Sequence, residues 1–243
     1  MTARNKRLRP GMTVFLLTLV FVVSAGCSAV LGERGNGDVT SEEREVGEFT
    51  GVELDGEGNV EIEVGASPSL VIEAEDNLLP LLTSEVSSGV LVLGTTENID
   101  PTRDIVYHVT MSGTDNLQVS GSGRIDAPSV TGETAAIGVS GSGSVNVDDV
   151  AVTDLEVDVS GSGSVEVGGG AETLVVSISG SGSLDAESLT VATADVTIPG
   201  SGNVVVGVDD HLEVDISGSG SVEYLGSPQV ESDISGSGSV DPR

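Results

Sequence analysis

Aromatic residues, cysteine and lysine are scarce in this chain of 243 residues, and each scarcity excludes a class of structure. The sequence has no tryptophan, two tyrosines and three phenylalanines, which is too few for an aromatic surface that stacks on sugars. The single cysteine, Cys27, excludes an intramolecular disulfide. Lys6 is the only lysine, so no phosphate-binding loop ending in Gly-Lys-Ser/Thr can form beyond the N-terminal segment.

Positive charge is scarce as well, because nine lysines and arginines face 39 acidic residues and the net charge is −30. The cations that follow Cys27 are Arg34, Arg44, Arg103, Arg124 and Arg243. So acidic a chain repels the phosphate backbone, and we expect no nucleic-acid partner. The composition beyond the N-terminal segment is acidic, lysine-free and aromatic-poor. It resembles that of proteins from salt-loving archaea, in which molar salt screens the repulsion between carboxylates.

One short phrase recurs in the second half of the chain: Ser or Pro, then Gly-Ser-Gly, then Ser, Asn or Arg and an apolar residue. The spacings between its seven copies are 20, 20, 19, 20, 18 and 18 residues, and the copies begin at Ser120, Ser140, Ser160, Ser179, Pro199, Ser217 and Ser235. A period of about 19 residues is typical of a solenoid, in which each repeat forms one coil and buries its apolar side against its neighbours.

Apolar residues alternate with small or acidic residues before each phrase, as in the segment 155–159, Leu-Glu-Val-Asp-Val. A period of two with β-branched residues predicts half-buried strands, and the glycines predict corners at which backbones stack closely. We therefore expect an all-β fold, a β-solenoid built as a single-stranded β-helix with coils of 18–20 residues. The spacing does not determine handedness: coils of 18 residues would suit a left-handed hexapeptide helix, but the period drifts and no hexapeptide pattern holds, so we favour a right-handed coil. Internal Val/Ile ladders and a serine ladder along one edge would hold it together. A flexible Gly/Ser linker is the alternative, but linkers do not carry alternating valines on both sides.

The N-terminal residues predict a signal peptide over 1–26. Four basic residues lie among the first nine, and a short apolar run covers 12–23. Small residues then precede Cys27 as in a lipobox, although Ser24 stands where an aliphatic residue is usual. We predict that Cys27 is lipidated, that residues 27–45 form a polar tether, and that the protein lies on the extracellular face of the cell membrane.

The remaining chain divides into an N-terminal β-rich part of the head domain, 46–119, and the repeat solenoid, 120–243. The segment 52–62 is a degenerate copy of the strand, Gly-x-Gly, strand unit. The segment 76–82, Asp-Asn-Leu-Leu-Pro-Leu-Leu, predicts a short helix with an Asp or Asn cap. Such a helix would cover one open end of the coil, where strand edges are otherwise unpaired.

The ordered features of the chain resemble a known family. The segment 56–60 (Gly-Glu-Gly-Asn-Val), the Leu78-Leu79 insertion, the strand 89–93 and the serial Ser-Gly-Ser-Gly copies are similar to the putative auto-transporter adhesin, head GIN domain family, over residues 46–240. The resemblance implies a β-helix like that of pectate lyases and a role in cell-surface adhesion, without an established catalytic centre. The family's repeated asparagine column is mostly serine here, and among the repeats only Asn203 keeps the amide.

Patterns that indicate catalysis or metal binding are weak. The histidines are His108 and His211, and a Ser–His–acid site is disfavoured because seven equivalent serines indicate a structural ladder. The acidic pairs Asp148-Asp149 and Asp209-Asp210 fall in the same part of their coils, where Ca²⁺ could find oxygen ligands, but the nonapeptide of calcium-binding β-rolls is absent. We predict no catalytic residue, no metal site and no cofactor.

Two classes of function remain. The first is a non-enzymatic surface lipoprotein with an acidic β-helical head, used in adhesion or envelope organisation. Its partners would be the membrane, through the lipid anchor, and a surface glycan or surface protein. The second is a carbohydrate-active β-helix protein, either polysaccharide-binding or lyase-like, whose only basic candidates in the coil region are Arg103 and Arg124. The scarcity of aromatic residues favours the first class.

The charge of the chain generates a prediction about salt. We expect the protein to be folded in molar NaCl or KCl and to lose stability in dilute buffer, because the screening length grows from about 3 Å at 1 M to about 10 Å at 0.1 M ionic strength. Circular dichroism melts across a salt series, with and without millimolar Ca²⁺, measure this. A melting temperature independent of salt would contradict the prediction, and a large stabilisation by Ca²⁺ alone would favour a metal site.

Overall fold

Equivalent strands of successive repeats lie side by side in the computed structural model, which describes residues 32–243. Val119 pairs with Val139, Val139 with Val159, and Val159 with Ile178, always in parallel register. Stacked parallel coils of this kind confirm the predicted all-β solenoid, while its handedness stays a prediction. The predicted signal peptide and Cys27 lie outside the described residues.

Nineteen strands and one 3-10 helix make up the described part of the chain. Those of the first half are β1 (Glu33–Arg34), β2 (Val39–Arg44), β3 (Gly51–Gly56), β4 (Asn59–Val64), β5 (Ser69–Glu75), the 3-10 helix (Leu79–Leu81), β6 (Leu82–Ser87), β7 (Val90–Thr95), β8 (Ile99–Asp100) and β9 (Val106–Met111). Those of the second half are β10 (Asn116–Gly121), β11 (Arg124–Thr131), β12 (Thr134–Gly141), β13 (Ser144–Gly161), β14 (Ser164–Gly180), β15 (Ser183–Ile198), β16 (Asn203–Ile216), β17 (Ser221–Gly226), β18 (Gln229–Ile234) and β19 (Ser239–Pro242).

Each coil has two long sides and a short third side. The side before the glycine phrase joins β3, β10 and β12 to the second halves of β13–β16 and then to β18. The side after the phrase joins β4 and β11 to the first halves of β13–β16 and then to β17 and β19. The third side passes through Val130, Val150 and Gly169, and the register shifts where the chain enters it. The shift lets coils of unequal length stack without disturbing the two long sides.

The core is a set of aliphatic columns inside the coils. The inward column next to the glycine phrase is buried at Leu54, Val119, Val139, Val159, Ile178, Ile198 and Ile216. Alternate residues of the same strands face outward and are mostly acidic or small, as the period of two requires. The predicted Val/Ile ladders are confirmed, and each buried valine or isoleucine contributes roughly 1.5–3 kcal/mol before chain entropy is counted.

The corners at the Ser-Gly-Ser-Gly phrase are held by direct contact between backbones. The amide of Ser162 donates to the carbonyl of Gly141 at 2.8 Å, and the amide of Ser164 donates to Gly143 at 3.1 Å. Gly161 has a φ of +119°, and a Cβ atom there would overlap the carbonyl oxygen of Gly141. The serines stack in register as predicted, but backbone groups form the repeated bonds of the corner.

A cap of antiparallel strands closes the N-terminal end of the coil stack. β7 and β9 continue the stack beyond β3 and β4 in parallel, and then β6 pairs with β7, β5 with β9 and β2 with β5, all antiparallel. The Arg44 guanidinium bridges the outer strands, donating to the carbonyls of Leu82 at 2.8 Å and Leu79 at 2.9 Å. The open strand edges at this end are thereby covered, as a solenoid requires.

The structure differs from the sequence-based expectation in the cap. The predicted helix over 76–82 is a single 3-10 turn whose N-cap is Leu78, with no side-chain cap. Asp76 and Asn77 do not cap it because they bind the N-terminal segment instead. The side-chain amide of Asn36 donates to the Asp76 carboxylate, and the backbone amide of Asn36 donates to the side-chain oxygen of Asn77.

The structure also bears on two predicted segment boundaries, the end of the tether at residue 45 and the start of the repeat solenoid at residue 120. Within the predicted tether, residues 39–44 form β2, because the edge of β5 offers them partners and Arg44, at the end of β2, donates to the carbonyl of Leu82. The stack is continuous across residues 119 and 120, since β10 pairs with β3 on one side and β12 on the other. No helix within 32–243 is long and apolar enough to cross a membrane.

The corner geometry generates a prediction about two glycines, Gly161 at the end of β13 and Gly170 within β14. Gly161→Ala should destabilise the head by about 1–3 kcal/mol, because an L-residue must adopt positive φ against the neighbouring carbonyl. Gly170→Ala is the matched control, since its Cβ would lie 3.6 Å from the Thr190 carbonyl oxygen in ordinary contact. Chemical denaturation in molar salt measures both variants. Equal stability of the two variants would contradict the stacked-corner account.

Candidate functional site

The histidines that the sequence singled out lie on separate strands. His108 lies on β9, with Nδ1 3.2 Å from Glu61 and Nε2 3.8 Å from Glu73, and its side chain is 46% exposed. His211 lies on β16 between Thr193 and Gln229 of the neighbouring coils. Neither arrangement is that of a histidine held by an acid against a serine nucleophile.

The two acidic pairs are not brought together. Asp148-Asp149 and Asp209-Asp210 are exposed on β13 and β16, and the coils of β14 and β15 lie between them. Within residues 32–243 no group of three or more His, Cys, Asp or Glu side chains is arranged to hold a metal ion.

Acidic residues instead form exposed columns along the coil stack. Asp195, Glu213 and Glu231 are in register on consecutive coils, and Asp215 is in register with Asp233 beside them. Neighbouring strands are about 4.8 Å apart, a distance at which like charges repel by roughly 1 kcal/mol in water. Salt would weaken this repulsion.

A buried carboxylate in the cap fixes two segments that are distant in sequence. Glu75, at the end of β5, is 1% exposed. It accepts hydrogen bonds from the Thr102 amide at 2.8 Å, the Thr102 hydroxyl at 2.6 Å and the Gly37 amide at 2.5 Å. The Arg103 amide adds a longer bond of 3.4 Å. Glu75 therefore holds the loop of residues 101–105, named here the 101–105 loop, against the N-terminal residues 33–38.

These bonds set the ionisation of Glu75. Burial by itself would raise the pKa of this carboxyl, but the hydrogen bonds from Thr102, Gly37 and Arg103 favour the charged form. Their combined effect leaves the pKa of Glu75 below its ordinary value. Gly35 must be a glycine because a Cβ there would overlap the same carboxylate.

A polar cleft of about 310 Å³ lies beside the 101–105 loop. We call it the corner cleft; its lining residues are 57–59 at the corner between β3 and β4, 101–105 in the loop, and Ser122 at the corner of the next coil. The Asn59 amide donates to Ile105 at 2.8 Å, and the Ser122 amide donates to Gly56 at 2.9 Å. The backbone around the cleft is thus held by bonds within and between coils.

The polar residues that line the corner cleft have side chains without partners among the described residues. Within residues 32–243 no hydrogen bond or ion pair to another protein group is formed by the side chains of Glu57, Asn59, Arg103, Asp104 or Ser122. Burial, and after it the charge of Asp100, raises the pKa of Glu57 above its ordinary value. Perturbed carboxyls in a cleft are typical of binding sites.

Arg124, the other basic candidate, lies outside the corner cleft. Its Nε lies 3.0 Å from both carboxylate oxygens of Asp126 on the same exposed strand. Arg103 and Arg124 therefore differ in their availability to a ligand, although composition alone made them equivalent.

Sequence reasoning missed Glu75 and the corner cleft. In β5 the inward residues are Leu70, Ile72 and Ala74, so alternation places Glu75 on the outer side. It is buried because residues 35–37 and 102–103 cover it, and nothing in the local pattern around β5 indicates that contact. Gly35 is the one local sign within residues 33–38 that the chain passes close to another group, because a Cβ there would overlap the Glu75 carboxylate.

The fold and its cap define the class of protein: a parallel β-solenoid with a covered N-terminal end. The sequence matches the model of the family described as putative auto-transporter adhesin, head GIN domain, over residues 48–228. The chain belongs to this family, as its motifs predicted. No curated protein matches the chain.

Solved structures share the fold at low sequence identity. A putative adhesin from Bacteroides fragilis has a TM-score of 0.81 at 20% identity, with 87% of this chain and 100% of that chain covered. A putative adhesin from Parabacteroides distasonis has a TM-score of 0.67 at 24% identity, covering 87% and 100%. A protein of the same species described as a putative lipid binding protein has a TM-score of 0.64 at 21% identity, covering 86% and 98%. These likenesses establish the fold.

The Glu75 contacts generate a prediction about pH. Because the folded-state pKa is lowered, the Glu75 contribution to stability is fully present above the unfolded pKa, about 4.3, and is lost as pH falls through the folded value. Glu75→Gln should therefore be less stable than wild type at pH 6, because an amide group would face backbone donors.

Glu73→Gln is the control, since Glu73 lies on the same strand with an exposed side chain. Denaturation at pH 6 and pH 3 should show the stability gap between the two variants closing at low pH. A gap that is absent at pH 6, or unchanged at pH 3, would contradict the role of the ionised carboxylate.

Proposed function

We propose that this protein is a non-enzymatic, lipid-anchored cell-surface protein whose acidic β-helical head acts in adhesion or envelope organisation. The observation that carries the proposal is the stack of parallel coils, which belongs to an adhesin head family and offers long outer faces in register. A rigid scaffold of this kind can display binding groups without rearranging.

The charge of the outer faces supports a location in a salty exterior. Acidic side chains stand in exposed columns, among them Asp195, Glu213 and Glu231. Molar salt screens such columns, whereas dilute solution does not. The head is therefore suited to a high-salt medium outside the cell, where the strongly negative charge of the chain, −30 in total, also keeps it soluble.

The position of the first strands supports a short connection to the anchor. β1 begins at Glu33 and pairs with β8, and residues 36 and 37 bind Asn77 and Glu75. A lipid on Cys27 would thus be followed by only a few residues before the chain joins the head.

Polysaccharide binding is a second candidate function, and the corner cleft favours it. Residues that carry guanidinium, amide, hydroxyl and carboxylate groups line a space of about 310 Å³ there. Such mixed donors and acceptors suit the hydroxyl groups of a sugar. This function is compatible with adhesion, because binding a glycan on another surface is one way to adhere.

The test of the proposal is Cys27→Ser in cells whose own copy of the gene is deleted. We expect the variant to move from the membrane fraction to the medium or to remain unprocessed. Attachment of these cells to glycan-coated surfaces in molar NaCl should fall to the level of the deletion strain, because the head no longer reaches the cell surface. Ser28→Ala is the matched control and should behave as wild type.

Two results would overturn the proposal. Unchanged membrane fractionation of the Cys27→Ser protein would contradict the proposed lipid anchor. If deletion cells attach as well as wild-type cells and their envelope is equally intact, the proposed role in adhesion and envelope organisation is wrong.

A further inference from the structure

One wall of the corner cleft, the 101–105 loop, is held by the buried carboxylate of Glu75. Glu75 lies buried in the cap, and its carboxylate accepts hydrogen bonds from the backbone amides of Thr102 and Arg103. The loop backbone that carries Arg103 is therefore fixed from behind. A side chain presented from a fixed backbone loses less freedom when it binds a ligand.

Two cations, Arg34 and Arg103, form no ion pair within residues 32–243, and of the two only Arg103 lines the corner cleft. Arg44, Arg124 and Arg243 each lie in ion-pair contact with a carboxylate. Within residues 32–243 no such contact is made by Arg103, although its neighbours Glu57 and Asp104 line the same cleft. Its donors are free to bind a ligand.

The charges in the corner cleft select the kind of ligand. An anion would be attracted by Arg103 but repelled by Glu57 and Asp104, and it would first have to approach a chain of net charge −30. A cation would be repelled by the guanidinium of Arg103. A neutral molecule with several hydroxyl groups satisfies both sides, because each hydroxyl donates to a carboxylate or accepts from Arg103 and Asn59.

The size of the cleft limits the ligand to a small unit. A volume of about 310 Å³ lies at the lower end of the range for small-molecule sites, so the cleft suits one sugar unit of a chain rather than a long segment. No aromatic side chain is among the lining residues of the cleft. Without stacking, the affinity should be weak, with a Kd on the order of 1 mM, and many copies on one surface would add avidity.

We propose that the corner cleft binds a single neutral sugar unit of a surface glycan, with Arg103 and Asn59 donating to its hydroxyls and Glu57 and Asp104 accepting from them. The inference deepens the proposed function and rests on it in one respect, namely that the head meets glycans outside the cell. Glu75 is a positioning residue for this site, since it acts through the 101–105 loop.

The experiment is a titration of the ¹⁵N-labelled full-length protein in molar NaCl, followed by amide chemical shifts. The probes are methyl mannoside, methyl galactoside and N-acetylglucosamine, with sodium acetate as the anionic comparison. We expect at least one sugar to cause saturable shifts at the amides of residues 57–59, 102–105 and 122. Acetate should leave them unchanged.

Three variants test the residues. Arg103→Ala should weaken sugar binding about tenfold or more by removing charged donors. Asn59→Ser should also weaken binding. It should keep the fold, because the equivalent positions on β13 and β14 are the serines Ser144 and Ser164. Arg243→Ala is the matched control: it removes the same charge from an exposed site beside Glu187 and Glu223, and it should bind as wild type does.

Several outcomes would overturn the inference. These are the absence of shifts with all three sugars, shifts caused by acetate but not by sugar, shifts confined to other parts of the chain, and unchanged binding by Arg103→Ala. Failure of the site can be told apart from failure of the adhesion proposal. If Arg103→Ala cells attach as wild type while deletion cells do not, adhesion holds and this site is wrong. If the sugar binds but deletion cells attach normally, the site holds and the adhesion role is wrong.

Discussion

Contact between backbones at the glycine corners is the constraint on which the rest of the head depends. Each amide after the corner donates to a carbonyl of the preceding coil, as Ser162 does to Gly141 at 2.8 Å. A side chain at Gly161 would overlap that carbonyl, so the coils can approach to strand spacing only where glycine is present. Once the corners stack, the strands on either side fall into parallel register and the valines and isoleucines form closed columns.

Stacking leaves two ends, and the N-terminal end needs polar contacts as well as a hydrophobic cover. The antiparallel strands β2, β5 and β6 reverse the direction of the stack and stop its propagation. Arg44 satisfies carbonyl groups at Leu79 and Leu82, and Glu75 satisfies amides at Gly37 and Thr102. Both charges are compensated by several hydrogen bonds, which is the condition for placing charge in a protein interior.

The same cap also fixes one wall of the corner cleft. Glu75 fixes the 101–105 loop, and this loop forms one wall of the corner cleft while the corner at Gly58 forms another. Gly58, at a φ of +118°, has no room for a side chain because a Cβ there would lie 2.9 Å from the ring of Tyr107. The acidic columns elsewhere on the coils are a separate feature, and the predicted dependence on salt concerns their mutual repulsion.

Local pattern alone determined the solenoid, because alternation of apolar residues and the recurrence of glycine near every twentieth position are short-range properties of the sequence. The buried columns at Val119, Val139 and Val159 follow directly from that alternation. Only tertiary structure decided that Glu75 is buried, that residues 39–44 form a strand of the head, and that Asp76 and Asn77 bind Asn36 instead of capping a helix. These features depend on segments roughly 30 to 40 residues apart that meet only when the cap closes, and no periodicity records such a meeting.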